Sequence, residues 1–192
     1  MSDSTTFLKE FLKHPTRVGA IAPSSPGLVN AMVDSFDWGR VRCAVEFGPG
    51  VGVFTEAILK RLRGDASFVA IERSSELAEK TRARCSHATV VEDSAANLTE
   101  IRVTHDLPPV DAIVCGLPWA SFSAALQDEI FEAMLQNAAP DATFATFAYW
   151  QGVVLPAGRR FSKKLRATFS RVNRSHTVWK NLPPAFVYRC TI

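Results

Sequence analysis

The sequence predicts an α/β fold: an open, mostly parallel sheet with helices on both faces and an antiparallel hairpin at its C-terminal edge. Three observations carry that expectation. Short apolar runs alternate with amphipathic, helix-spaced runs from residue 25 to residue 169, the pattern of repeated strand–helix units. The first clear run, Cys43–Phe47, breaks at once into Gly48, Gly50 and Gly52, then into a stretch with Phe54, Ile58 and Leu62 at helical spacing. The last two runs, residues 171–179 and 186–191, follow one another with no helix between them, around Asn181-Leu182-Pro183-Pro184.

Gross composition narrows the class. At 192 residues and 47% apolar, the chain suits one domain with a sizeable core, and it has no internal repeat, low-complexity tract or linker. No run of 18 apolar residues exists, so no membrane-spanning helix is expected, and residues 1–6 lack a basic-then-apolar leader. Cys43, Cys85, Cys115 and Cys190 show no C-x-x-C spacing; buried free thiols in a reducing cytoplasm are expected, and no metal site. The net charge of +3 hides an asymmetry. Residues 142–192 hold nine of the 22 basic residues and none of the 19 acids, so this segment is +9 while the rest is −6. That implies an anionic partner, whether nucleic acid, a phosphorylated small molecule or an anionic membrane surface, with part of the charge merely solvating helix faces.

Along the chain, residues 6–14 carry Phe7, Leu8, Phe11 and Leu12 as an apolar stripe with Lys9, Lys13 and Arg17 on the polar side. Such an amphipathic helix either caps the core or lies in a membrane interface. Pro15 stops it. Ser25 followed by Pro26 is a helix start, cap then first turn, with Leu28, Val29, Met32 and Val33 as the buried face. Ser24 and Ser25 either cap that helix or place hydroxyls at the mouth of a pocket. After the glycine turn come a strand over 68–72, a helix over 75–84, a strand over 87–91 and a strand over 111–115. The helix over 123–137 turns Leu126, Ile130, Phe131, Met134 and Leu135 inward; an aromatic strand over 142–150 and a basic helix over 156–169 follow.

The glycine turn aims the first N–H groups of a helix into a crevice and lets a ligand approach the main chain. Its spacing is G-x-G-x-G, with Val53 where a dinucleotide motif needs its last glycine, and Glu46 precedes it. An acid there repels a pyrophosphate and welcomes an amino group. Glu72, 20 residues beyond Gly52, ends the second strand where an acid reaches ribose hydroxyls. Asp93 follows the third strand, where it can accept from an exocyclic adenine amine.

Together Glu46-x-Gly48-x-Gly50-x-Gly52, Glu72 and Asp93 resemble the class I S-adenosylmethionine-dependent methyltransferases. Gly116-Leu117-Pro118-Trp119 looks like the four-residue motif after the fourth strand of amine methyltransferases. With Gly19-Ala-Ile-Ala-Pro-Ser-Ser25 and the stretch from Trp179 through Asn181-Leu182-Pro183-Pro184-Ala185 to Tyr188, the chain resembles bacterial phospholipid N-methyltransferases from about Phe7 to Cys190. The resemblance implies a Rossmann-like, seven-stranded fold in one methyltransferase domain, residues 1–192. Residues 1–36 would form the helical cap or membrane-contact region and residues 37–192 the cofactor-binding core.

The same resemblance implies successive methylation of the phosphatidylethanolamine amine, in up to three steps to phosphatidylcholine, by a cytoplasmic enzyme held peripherally at the inner membrane face. S-adenosylmethionine would be held by Glu46, Gly48, Gly50, Gly52, Glu72, Arg73, Asp93 and Ser94. The backbone carbonyls of Gly116 and Leu117 would hold the amine, with Tyr188 or Tyr149 as candidate bases and a water relay as the alternative. Trp119 would offer an aromatic wall to the methylated nitrogen, with Tyr149, Trp150 and Trp179 as alternatives. Arg159, Arg160 and Arg189 would meet the lipid phosphate, with hydroxyls from Ser24 and Ser25. An anionic membrane surface, met by the N-terminal helix and the basic C-terminal segment, is the expected partner; no nucleic acid or obligate protein partner is expected. The rival readings are an ornithine-lipid N-methyltransferase, a ribosomal RNA adenine N-methyltransferase using the basic segment on phosphates, and a non-catalytic lipid- or nucleotide-binding module. Related RNA enzymes usually carry Asn where this chain has Gly116, which makes a base amine the poorer fit.

Overall fold

A computed structural model describes residues 24–192. The expected N-terminal helix, with Phe7, Leu8, Phe11 and Leu12, lies outside the described residues. Seven strands form one sheet in the order β3-β2-β1-β4-β5-β7-β6. These are β1 (Cys43–Phe47), β2 (Ser67–Ile71), β3 (Thr89–Val91), β4 (Val110–Cys115), β5 (Ala138–Tyr149), β6 (Arg171–Arg174) and β7 (Ala185–Thr191). The first five are parallel; β7 runs antiparallel to both β5 and β6, so the predicted mixed sheet with an antiparallel edge is what forms.

Seven α-helices are present among the described residues: α1 (Pro26–Val33), α2 (Val53–Leu59), α3 (Ser75–Arg84), α4 (Leu98–Thr104), α5 (Ala124–Asn137), α6 (Trp150–Val153) and α7 (Pro156–Thr168). Local chemistry starts several of them. The hydroxyl oxygens of Ser25, Ser74 and Ser123 accept from the N–H groups of Leu28, Leu77 and Leu126, each capping one helix. Helix α4 was not expected, because its Leu-Thr-Glu-Ile-Arg-Val-Thr sequence mixes two β-branched-rich turns with no clear stripe. The β6 strand is shorter than expected: after Arg174 the chain leaves the sheet and returns only at a single bridge from Val178 to Ala185.

The core has two layers, one on each face of the sheet. On one face Val45, Phe47, Ile71, Ile113, Cys115, Phe144 and Phe186 pack against α4, α5 and α7. On the other, Ala44, Ala112, Val114, Ala145 and Val187 pack under α1 and α2, through Leu28, Met32, Phe54 and Ile58. Each fully buried large side chain of this kind contributes about 1.5–3 kcal/mol. The four cysteines are buried and free. Burial pushes the thiols of Cys43, Cys115 and Cys190 up to about 12, which makes them packing groups rather than nucleophiles.

Candidate functional site

Strand order reverses between β1 and β4, and a cleft opens there at the carboxyl ends of the parallel strands. It encloses about 870 Å³ including its open mouth. Gly48, Gly50, Glu72, Arg73, Asp93, Ser94, Gly116 and Leu117 line it, so eight of the sequence-predicted residues come together in one place. The rest of the lining is apolar: Ile71, Leu77, Ala95, Pro118, Phe122, Leu126 and Ile130.

The glycine turn is pinned to both neighbouring strands. Gly48 N–H donates to the Ile71 carbonyl at 2.9 Å, and Gly116 N–H donates to the Phe47 carbonyl at 2.8 Å. Gly48 and Gly50 take φ of +69° and +62°, the left-handed region that favours glycine. A Cβ on Gly50 would meet nothing within 4 Å, so its absence leaves room for a ligand against the main chain. Gly52 serves differently. It does not line the cleft, and a Cβ there would press on Thr81 and Arg84 of α3 at 3.3 Å. Thr81 Oγ1 also donates to the Gly50 carbonyl at 2.9 Å, so α3 braces the turn from behind. Gly52 therefore belongs to helix packing rather than to the ligand surface.

Three acids surround this turn in three different states. Glu72 Oε2 accepts from Gly50 N–H at 3.1 Å and its Oε1 from Ser74 N–H at 3.0 Å. Burial raises its pKa, against those backbone donors. Each carboxylate oxygen has a second lone pair, so Glu72 retains acceptor capacity for a pair of ligand hydroxyls. Asp93 Oδ1 accepts from Ser94 N–H at 2.6 Å and from Asn97 Nδ2 at 2.7 Å, which orients the carboxylate and leaves Oδ2 for a ligand. Glu46 is fully buried and outside the cleft lining. Its Oε2 accepts from Thr55 Oγ1 at 2.6 Å, and Oε1 has no hydrogen-bond partner. Burial, reinforced by the Glu72 carboxylate and opposed by the Thr55 hydrogen bond, pushes Glu46 up to about 8. It thus ties β1 to α2 behind the turn, instead of presenting charge to the cleft.

The corner after β4 is tight. Pro118, at φ −81° and ψ 72°, centres an inverse γ-turn closed by Trp119 N–H donating to the Leu117 carbonyl at 3.0 Å. A Cβ on Gly116 would lie 2.6 Å from the Gly48 carbonyl oxygen, so no side chain fits at the first position of this motif. The Gly116 carbonyl carries no intramolecular hydrogen bond among the described residues. Trp119 does not offer its ring to the cleft, contrary to expectation. It is 4% exposed, stacked on Phe161 at 5.1 Å, edge-on to Phe131 and Phe122, and its Nε1–H donates to Thr146 Oγ1. A large ring four residues into a connection is drawn into the aromatic layer between α5 and α7. The aromatic side chain that does line the cleft is Phe122, which Trp119 buttresses.

Phe122, Leu126 and Ile130 recur every four residues along the start of α5, and α5 packs on the short turn Ala95–Asn97 beside Asp93. Sequence reading assigned Leu126 and Ile130 to the core and passed over Phe122; the four-residue spacing was the available signal. Together with Ile71, Leu77 and Ala95 they form an apolar slot next to an oriented carboxylate. That donor set fits an adenosine: a slot for a flat base, Asp93 and Ser94 at its edge, and Glu72 for vicinal hydroxyls.

The remaining candidates lie elsewhere. Tyr188 is 2% exposed and packs edge-on to Phe186 under the Arg174 guanidinium, so it cannot reach the cleft. Tyr149, half-buried against Phe147 at the end of β5, also lies outside the lining, and burial raises its pKa. Ser25 caps α1, while its N–H donates to Asn181 Oδ1; Ser24 beside it is half-buried. Arg159 and Arg160 are exposed on α7, and Arg189 is exposed in the middle of β7, paired in register with Ala145 and Asn173. None of these lines the cleft, nor do Trp150 and Trp179. Among the described residues no His, Lys or Tyr is in the lining, and no cluster of metal-ligating side chains is found.

Comparison with known proteins adds three likenesses. An ornithine lipid N-methyltransferase of Singulisphaera acidiphila is 33% identical over 193 residues, covering 99% of this chain and 96% of that one. Among solved structures, the O-methyltransferase TomG from Streptomyces achromogenes, in complex with SAM, superimposes with a TM-score of 0.67 at 18% identity, over 100% of this chain and 91% of that one. The N-methyltransferase NodS from Bradyrhizobium japonicum WM9, in complex with S-adenosyl-L-homocysteine, does so at 0.66 and 13% identity, over 99% and 98%. At such identities the two structures show the shared fold. No model of a protein family matches the chain.

Proposed function

Since the chain belongs to the lipid N-methyltransferases with the class I S-adenosylmethionine-dependent fold, we propose that it methylates the primary amine of phosphatidylethanolamine, in up to three steps leading to phosphatidylcholine. The observation that carries the reading is the meeting, in one cleft, of two oriented acids at successive strand ends with a tight Gly116-Leu117 corner whose first position admits no side chain. Glu72 is the residue for the cofactor's ribose, Asp93 with Ser94 for its adenine, and the Gly48–Gly50 backbone for its amino-acid end. When bound, S-adenosylmethionine supplies a methyl group on a sulfonium sulfur.

The chain's own part is to deliver a neutral amine in line. An alkyl ammonium has a pKa near 10, so the site must favour the deprotonated form. Apolar lining from Leu117, Pro118, Phe122 and Ile130 lowers the local polarity and disfavours the cation. The free Gly116 carbonyl, with the second lone pair of the Leu117 carbonyl, accepts the amine hydrogens and points its lone pair outward from them; positioning of this kind supplies much of the rate. With no base among the described lining residues beyond Glu72 and Asp93, the proton leaves through water at the open mouth. An RNA adenine is the poorer substrate here, because Gly116 has no space for a side-chain amide that would hold a base amine.

A second reading has an observation of its own. The relative that matches over nearly the whole chain is named for ornithine lipid, whose headgroup likewise sets a primary amine beside one anionic group. One experiment decides between them. The protein is incubated with methyl-labelled cofactor and vesicles holding both lipids, and the lipids are then separated. Label in mono-, di- and trimethylated ethanolamine lipid is the expected result; label confined to ornithine lipid would replace the first reading by the second, and label in neither would refute both.

A further inference from the structure

We propose that the exposed apolar cluster of Trp150, Val154, Leu155, Trp179 and Leu182 is where this protein enters the interface of an anionic lipid bilayer, with the cleft mouth turned toward the headgroups. The proposal rests on the lipid-substrate reading and names the surface by which that substrate is reached. Trp150 is 49% exposed, Trp179 67% and Leu182 74%, with Val154 and Leu155 also exposed. Soluble surfaces scatter such residues singly; a group of five large ones on two adjoining segments, 150–155 and 179–182, marks a contact.

The two loops are held together. Trp150 N–H donates to the Pro184 carbonyl at 2.8 Å, and Val178 bridges Ala185 beside the end of β5. Nor do the loops expose these side chains for want of anchorage. Asn181, between Trp179 and Leu182, is 4% exposed; its Oδ1 accepts from Ser25 N–H and its Nδ2 donates to the Pro183 carbonyl at 2.7 Å. A buried polar clip thus fixes the loop while its two apolar neighbours face outward. On the other side, the Gly158 position lies against the Gly152 carbonyl so closely that a Cβ could not be accommodated, which locks α6 onto α7 and presents Val154 and Leu155.

Charge and orientation choose the occupant. Lys180 adjoins Trp179, and Arg159 and Arg160 follow Leu155 by one helical turn. All belong to the acid-free segment 142–192, and among the described residues Lys164 is the only one of its nine basic side chains in an ion pair. Tryptophan at an apolar patch flanked by cations is the chemistry of an anionic interface. The patch also lies at the carboxyl end of β5 and the start of β7, the same edge of the sheet on which the cleft opens after β1, β2 and β4. Docking there brings headgroups to the cleft without the cleft itself entering the acyl layer.

The test uses the full chain and vesicles of phosphatidylethanolamine with phosphatidylglycerol, some brominated on the acyl chains. Of the four tryptophans, Trp150 and Trp179 are the exposed ones, Trp119 being buried and Trp38 half-buried, so chain-brominated lipid should quench the emission that Trp150→Phe and Trp179→Phe remove. Trp179→Ser with Leu155→Ser should weaken vesicle binding by roughly 10- to 100-fold, from the apolar area withdrawn. The same variant should keep wild-type affinity for S-adenosylhomocysteine, which reports that it is folded, and should turn over lipid dispersed in detergent micelles at the wild-type rate. Unquenched Trp150 and Trp179, or unchanged vesicle binding by the double variant, would overturn the proposal. So would a dimer in sedimentation that the double variant dissolves, since a second copy would then be the occupant. Absence of wild-type turnover of any micellar lipid would remove the substrate reading instead, and quenching would still judge the surface.

Discussion

Replacing Glu46 by glutamine should remove most of the loss of stability that the parent chain shows between pH 5 and 8, leaving the smaller part that belongs to the buried Glu72. The reason is linkage. Burial raises the Glu46 carboxyl from an ordinary 4.5 to about 8, so across that window the folded state holds one proton that the unfolded state has released. Stability falls with rising pH wherever the native state binds the more protons. The slope is about 1.4 kcal/mol per pH unit, and the whole window is worth on the order of 5 kcal/mol, levelling off above pH 8 where both states are ionised. Glutamine can keep the hydrogen bond from Thr55 through its carbonyl oxygen, and its amide nitrogen takes the place of the already unpartnered Oε1. Urea unfolding followed by far-ultraviolet circular dichroism at unit pH steps measures both curves. The two proteins should be of similar stability near pH 5, with the variant ahead by several kcal/mol at pH 8. Parallel curves would refute the argument, because they would mean that Glu46 is ionised in the folded protein throughout.

Three further outcomes follow from the cleft. Gly116→Ala should cost roughly 1–3 kcal/mol of stability by forcing Cβ against the Gly48 carbonyl, measured by thermal melting, and should abolish turnover more completely than it unfolds the protein. Phe122→Ala should weaken S-adenosylhomocysteine binding in calorimetry by about tenfold, since an aromatic face against a base is worth about 1–3 kcal/mol in comparable stacks. Glu72→Gln turns an amide N–H₂ toward one of two backbone donors, Gly50 or Ser74. It should speed hydrogen exchange at whichever of Gly50 and Ser74 loses its acceptor and reduce S-adenosylhomocysteine affinity by roughly 10- to 100-fold, the cost of one lost charged hydrogen bond and one unpaired donor.

The cofactor half of the site was legible because its residues sit where strand periodicity stops. Glu72 directly follows the last apolar residue of β2 and Asp93 comes two residues after the last of β3, so both sit where the chain leaves the sheet beside the crevice. The acceptor half was legible only at Gly116 and Leu117. Whether Trp119 faces a ligand or the core depends on Phe131, Phe144 and Phe161, which arrive from three other elements, and no local pattern reports that convergence. Tyr188 was misplaced for the same reason: a strand's two faces are equivalent in sequence when both are buried, as in β7. Ser25 illustrates the opposite case, where a cap is readable from Ser-Pro alone but the tie to Asn181, 156 residues away, is not.

The placement of β7 between β5 and β6 has a consequence during synthesis. Strand β6 leaves the ribosome before β7, the strand that is its sole neighbour in the sheet, while β5 has already offered an unpaired edge over Thr143–Tyr149. That edge is rich in Phe144, Phe147 and Tyr149, and an open edge of this kind pairs with whatever strand comes first. The nascent chain is therefore most exposed to mispairing in the interval between β5 and β7, and the long basic helix α7 that fills it supplies charge just when the edge is bare.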